Sequence, residues 1–101
     1  MSEVPATRSV LMKHAAGLHA RPSVKLTKLA KTFPCRIELA QSADGPWIDA
    51  KSIVKVMALK APRDSTLHFR AEGEGAAEAV NALSALVARD FDEDHADAAT
   101  S

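Results

Sequence analysis

His19 and Arg21 stand two residues apart in the run Gly17-Leu18-His19-Ala20-Arg21-Pro22, an imidazole and a guanidinium just ahead of a stretch with helical periodicity. Those residue types at the mouth of a helix suit a phosphoryl group. The first turn of a helix leaves backbone N–H groups without intrahelical partners, and the macrodipole makes that end partly positive, so an anion settles there. Neutral imidazole is a nucleophile that forms covalent intermediates, and phosphoryl transfer asks a protein mainly for positioning and charge stabilisation. With His19 at the cap, the Arg21 guanidinium and the backbone of Ala20 and Arg21 are placed to supply both. Pro22 fits the opening turn, which tolerates the loss of an N–H donor. The competing reading is a histidine that caps a helix and does no chemistry.

The elements that must hold this pair follow from periodicity. Val10, Leu11 and Met12 mark a first strand within Thr7–Met12, and Leu26, Leu29, Ala30 and Phe33 repeat at helical spacing until Pro34 stops the helix. Arg36-Ile37-Glu38-Leu39 alternates as a half-buried strand, and Asp44-Gly45 turns the chain into a return strand at Trp47-Ile48-Asp49. Between Ser52 and Met57 the β-branched residues favour a strand, so propensity leaves strand or helix open there. Thr66–Arg70 reads as a fourth strand with Leu67 and Phe69 inward and His68 outward. Ala76, Val80, Leu83 and Val87, broadened by Ala79 and Leu86, predict a helix over Ala76–Ala88.

From about Arg8 to about Phe91 the chain resembles the HPr family, the histidine-phosphorylated carriers of bacterial phosphotransferase systems. The family's Gly-Leu-His-x-Arg-Pro run is present in full, Ala50–Leu59 resembles its second-helix block, and Ala71-Glu72-Gly73-Glu74 precedes an alanine-rich helix as in many members. The resemblance makes the Ile53–Met57 block a short helix with Ser52 near its N-cap. It implies an α+β open-faced β-sandwich, a four-stranded antiparallel sheet with three helices on one face, in the order βαββαβα. One domain then spans residues 7–91, between residues 1–6, expected to fray, and an acidic tail at 92–101 with no core-forming pattern.

The same resemblance implies the circuit and the roles. Enzyme I passes a phosphoryl group to the δ (pros) nitrogen of His19, Arg21 and the backbone N–H groups of Ala20 and Arg21 hold its oxygens, and an EIIA-type domain receives it. Ser52 aligns with the serine that an HPr kinase/phosphorylase modifies in some lineages; a plain helix cap is its other reading. Val24, Lys28, Ile53, Val54, Lys55 and Met57 fall where carriers touch their partners, with Val24 and Val54 expected to be exposed. Arg21, Lys25 and Lys28 recur along one helical stripe, which the family reading assigns to an acidic partner surface. Two details depart from the family: Leu59-Lys60-Ala61-Pro62 lacks the glycine common after the second helix, and Trp47 stands in a turn where small polar residues are usual.

Composition narrows the alternatives. Thirteen basic and thirteen acidic side chains cancel, and three phenylalanines with one tryptophan offer few stacking surfaces, against a nucleic-acid-binding role. A single cysteine, Cys35, excludes an intramolecular disulfide and reads as an inert strand residue in a reducing compartment. The sequence has neither a bilayer-spanning apolar run nor the pattern of a secretion signal, so a cytoplasmic address without direct membrane insertion is expected; the carrier reading adds a monomer without metal or cofactor. Within the carrier reading, the Asp90–Asp94 ending resembles the nitrogen-related homologue NPr, while the serine block looks more like the sugar-system carriers. A non-catalytic interaction module regulated through Ser52 is the remaining alternative, and the retained histidine argues against it.

Overall fold

Strands β1 (Ala6–Leu11), β2 (Arg36–Ala40), β3 (Ile48–Asp49) and β4 (Thr66–Glu72) alternate with helices α1 (Ala20–Lys31), α2 (Ile53–Leu59) and α3 (Ala76–Ala88) in the order βαββαβα. The computed structural model describes residues 5–15 and 17–92. Residues 1–4 and 93–101, and with them most of the expected N-terminal fraying and acidic tail, lie outside the described residues.

The sheet runs β1-β4-β2-β3, with every pairing antiparallel. Alternation decides which face is covered. In β4, Leu67, Phe69 and Ala71 are buried beneath the helices, while Thr66 and Glu72 are exposed and His68 and Arg70 half-buried on the other face. His68 points outward as expected, and its Nδ1 lies 2.9 Å from the Ser9 hydroxyl on the neighbouring strand. The core joins these strand residues to Ile37 and Leu39 of β2, Leu26 and Ala30 of α1, Val56 of α2, and Val80, Leu83 and Val87 of α3. Burying the apolar stripe of each helix against one sheet face is what makes the layered arrangement stable.

On the open face Trp47 finds its role. The Arg70 guanidinium lies 4.1 Å from the Trp47 ring centroid, and Arg70 Nε donates to Glu38 Oε1 at 2.7 Å. A cation over an aromatic face, paired to a carboxylate across the β2–β4 ladder, covers part of a sheet surface that no helix reaches.

Several boundaries differ from expectation. β1 begins at Ala6, one residue inside the segment expected to fray, and ends before Met12, which is fully buried. α1 ends at Lys31 with Thr32 as its C-cap, so the helix stops before Pro34 because a residue preceding proline is driven out of the helical region. Phe33 and Leu29 are only partly buried, whereas Pro22, Ser23 and Thr27 are buried with Leu26 and Ala30. Cys35 is buried in the bend before β2 rather than within the strand. Where a glycine was expected after α2, Lys60 adopts the left-handed conformation at φ 51° and closes the helix, its N–H donating to Met57 O at 3.2 Å. Beyond α3 the chain makes a turn at Asp90–Asp92 in which three successive residues have positive φ, at 59°, 59° and 58°.

Candidate functional site

His19 occupies the N-cap of α1 in extended geometry, and its carbonyl accepts the Ser23 N–H at 2.9 Å. The helix therefore opens as Ala20, Arg21 and Pro22. Helix geometry gives the N–H groups of Ala20 and Arg21 no intrahelical carbonyl, and Pro22 has no N–H to place. His19 makes no side-chain cap bond. His19 thus holds the cap position expected of it, with its ring exposed at the positive end of the helix instead of being spent on closing it. Arg21 is exposed on the first turn, two residues from the ring, and Ala20 is exposed between them.

What fixes this loop is a zipper to the segment after α2. Leu18 N–H donates to Ala61 O at 2.8 Å, and Leu18 and Ala61 are both buried. Gly17, at φ +77°, lets the backbones touch. Its N–H also closes a turn onto His14 O at 2.9 Å, and Met12, just before that turn, exchanges backbone bonds with Ser65 and Asp64 at 2.8 Å each. The left-handed Lys60 thus performs the job expected of glycine, because it turns the chain so that Ala61 meets the histidine loop.

Ser52 is the N-cap of α2, its hydroxyl oxygen accepting the Lys55 N–H at 3.3 Å. On the same helix Val54 is 73% exposed and Met57 39%, while Ile53 is half-buried and Lys55 exposed. On α1, Val24 is 40% exposed and Lys28 is exposed. α1 and α2 pack against each other, so Val24, Val54 and Met57 are apolar residues left outside the core on neighbouring helices. Lys25 departs from the expected basic stripe: its Nζ donates to Phe91 O at 3.0 Å, tying α1 to the C-terminal turn.

Sequence reading missed His14. Its ring centroid lies 5.2 Å from that of His19, with the planes at 63°, and 5.9 Å from that of Phe91, with the planes at 70°. No spacing rule signals such a contact, because the turn closed by Gly17 brings the two rings together. An open groove of about 710 Å³ lies elsewhere, between β2, β3 and α2, lined by residues including Trp47, Asp49, Lys51 and Lys55. Neither His19 nor Arg21 lines that groove. Among the described residues, no group of three or more His, Cys, Asp or Glu side chains is placed to hold a metal ion. No helix among them is long and apolar enough to cross a membrane.

Fold and site together define a class, small open-faced α+β domains that present a histidine, followed by an arginine, at the positive end of their first helix. Within that class the chain belongs to the HPr family, the phosphocarriers of the phosphotransferase system: the family model described as "PTS HPr component phosphorylation site" matches residues 6–89. The phosphocarrier protein HPr of Cupriavidus necator is 42% identical over 86 residues, covering 85% of this chain and 94% of that one. The phosphocarrier protein NPr of Proteus mirabilis is 34% identical over 87 residues, covering 86% and 96%. Among solved structures, HPr-C-His from Thermoanaerobacter tengcongensis superposes with a TM-score of 0.77 at 32% identity, covering 94% of this chain and all of that one.

Proposed function

We propose that the chain accepts a phosphoryl group on His19 from phosphorylated enzyme I and donates it to an EIIA-type domain, supporting sugar uptake or its regulation. The observation that carries this reading is the exposed His19 ring at the N-cap of α1, with Arg21 on the first turn. The δ nitrogen of His19 attacks phosphorus while the donor group of phosphorylated enzyme I departs as the leaving group, so a P–N bond to His19 forms as the donor's bond to phosphorus breaks. The Arg21 guanidinium and the first-turn N–H groups hold the phosphoryl oxygens by charge-assisted hydrogen bonds. Stabilisation from the dipole is modest, about 0.3–1 kcal/mol per favourably placed charge, which leaves the group transferable. The site needs no cofactor, and the carrier performs half-reactions rather than a complete turnover.

Incubation with phosphoenolpyruvate and enzyme I, followed by mass spectrometry, tests the reading. An acid-labile, base-stable adduct on His19 is the expected result. Full labelling of a His19→Gln chain would overturn it.

The NPr-type regulatory circuit is the second reading, favoured by the Proteus mirabilis relative. Phosphate exchange with each enzyme I paralogue separates the two. We also propose Ser52 as a regulatory site for an HPr kinase/phosphorylase, since its hydroxyl sits at a helix start beside the exposed Val54. A phosphate there adds roughly −1.5 to −2 charge and repels an acidic partner. Failure of the source organism's kinase to modify Ser52 would leave it as a helix cap.

A further inference from the structure

The contact between the two imidazoles has a support that reaches to the far end of the chain. Edge-to-face aromatic pairs prefer centroid separations of about 4.5–7 Å, and both the His14–His19 and His14–Phe91 pairs fall in that range. Phe91 is fully buried, and it sits in the middle of three successive residues at positive φ. Side-chain-bearing residues rarely hold that conformation unless their surroundings over-determine it. Here the surroundings are specific: Lys25 Nζ binds the Phe91 carbonyl, and Arg89 Nε binds Asp92 Oδ1 at 2.9 Å. The backbone of His14 is fixed as well, by the Gly17 N–H on its carbonyl and by the anchored, buried Met12 two residues before it. His19 itself is exposed and makes no side-chain cap bond.

We propose that His14 is a positioning residue, transmitting the packing of Phe91 to the His19 ring so that the phosphoryl-accepting nitrogen is presented in one orientation. The inference rests on the reading of His19 as the acceptor. It makes the C-terminal turn part of the site, although Phe91 lies 72 residues from His19 in the chain.

Single-turnover transfer from phosphorylated enzyme I tests this with His14→Ala, His14→Gln and His14→Phe, alongside ring-proton NMR of His19. His14→Ala and His14→Gln should lower the maximal rate by about fivefold or more while leaving the half-saturating concentration of enzyme I within about twofold. His14→Phe keeps a ring in place and should return the rate to within about twofold of the parent. The His19 ring protons should lose their ring-current displacement in His14→Ala and His14→Gln and keep it in His14→Phe. A parent-like rate in His14→Gln, or a His14→Phe rate as low as that of His14→Ala, would overturn the proposal. Should His14→Ala fail to fold, the Gln and Phe variants carry the comparison. Absence of phosphate on His19 in the parent chain would sink the functional reading itself, and a parent-like His19 ring spectrum in His14→Gln would separately refute the contact.

Discussion

Gly17 lies against the carbonyl of Ala61 so closely that a Cβ at position 17 would sit 2.6 Å from that oxygen. The same oxygen accepts the Leu18 N–H at 2.8 Å, so the contact holding the histidine loop is a backbone-to-backbone one with no flexible side chain to give way. Gly17 is also at φ +77°, where a side chain is strained whatever space it has. Gly17→Ala should therefore cost about 2 kcal/mol or more and lower Tm by about 8–16 °C. Thermal unfolding followed by circular dichroism measures the first effect. Phosphoryl acceptance at a temperature where the variant is still folded measures the second, and it should fall because His19 is two residues from the strained position.

Ser23 offers a change in the opposite direction. Its side chain is fully buried on α1, and Oγ has no hydrogen-bond partner among the described residues. A buried, unsatisfied hydroxyl is costly, and alanine is the better helix former. Ser23→Ala should stabilise the chain by about 1 kcal/mol, raising Tm by about 4–8 °C, without altering phosphoryl transfer. An unchanged or lower Tm would count against the burial of that hydroxyl.

The parts of this architecture legible in the sequence are those with local physical signatures. The stripe Val80, Leu83 and Val87 on α3, the alternation through Leu67 and Phe69, and the Gly-Leu-His-x-Arg-Pro run each announce their element or their family. α2 was legible only through family resemblance, because Ile53, Val54 and Val56 favour a strand until Ser52 caps them into a helix. The C-terminal turn was not legible, since nothing in Asp90-Phe91-Asp92 demands positive φ; burial of the Phe91 ring and the Lys25 bond impose it from a distance. For the same reason the spacing of Arg21, Lys25 and Lys28 reads as a partner-facing stripe although Lys25 binds the Phe91 carbonyl, and no local pattern marks His14. At the site, the residue types and the helix start were readable, but the neighbour of the histidine was not.

Low pH should loosen that turn. The hydrogen bond from Arg89 holds the Asp92 carboxyl below its ordinary value, with a smaller contribution from the nearby charges of Arg89 and Lys25. The Arg89 guanidinium is correspondingly raised and stays charged throughout. A carboxyl depressed in the folded state stabilises that state above its unfolded value, and the benefit is lost as pH falls through the folded one. Both partners are exposed, so the effect is local rather than global. Amide NMR should show the Phe91 resonance moving in the acid range below the ordinary carboxylate value, and Asp92→Asn should abolish that movement at unchanged Tm.

Val54 provides the test of docking. It is 73% exposed on α2, and an apolar side chain so placed adds little to folding, since its burial is not what closes the core. Val24 and Met57, at 40% and 39%, extend the patch across α1 and α2. If partners cover this surface, the methyl groups of Val54 are desolvated only in the complex, and their removal should appear in binding and not in stability. Val54→Ala should hold Tm within about 2–4 °C, the range expected of an exposed substitution, while weakening the apparent affinity for enzyme I by about fivefold. Steady-state transfer at varied carrier concentration separates the two cases: a raised half-saturating concentration at unchanged maximal rate places Val54 in the docking surface. A lowered maximal rate would place its influence at His19 instead, and unchanged kinetics would remove it from the interface.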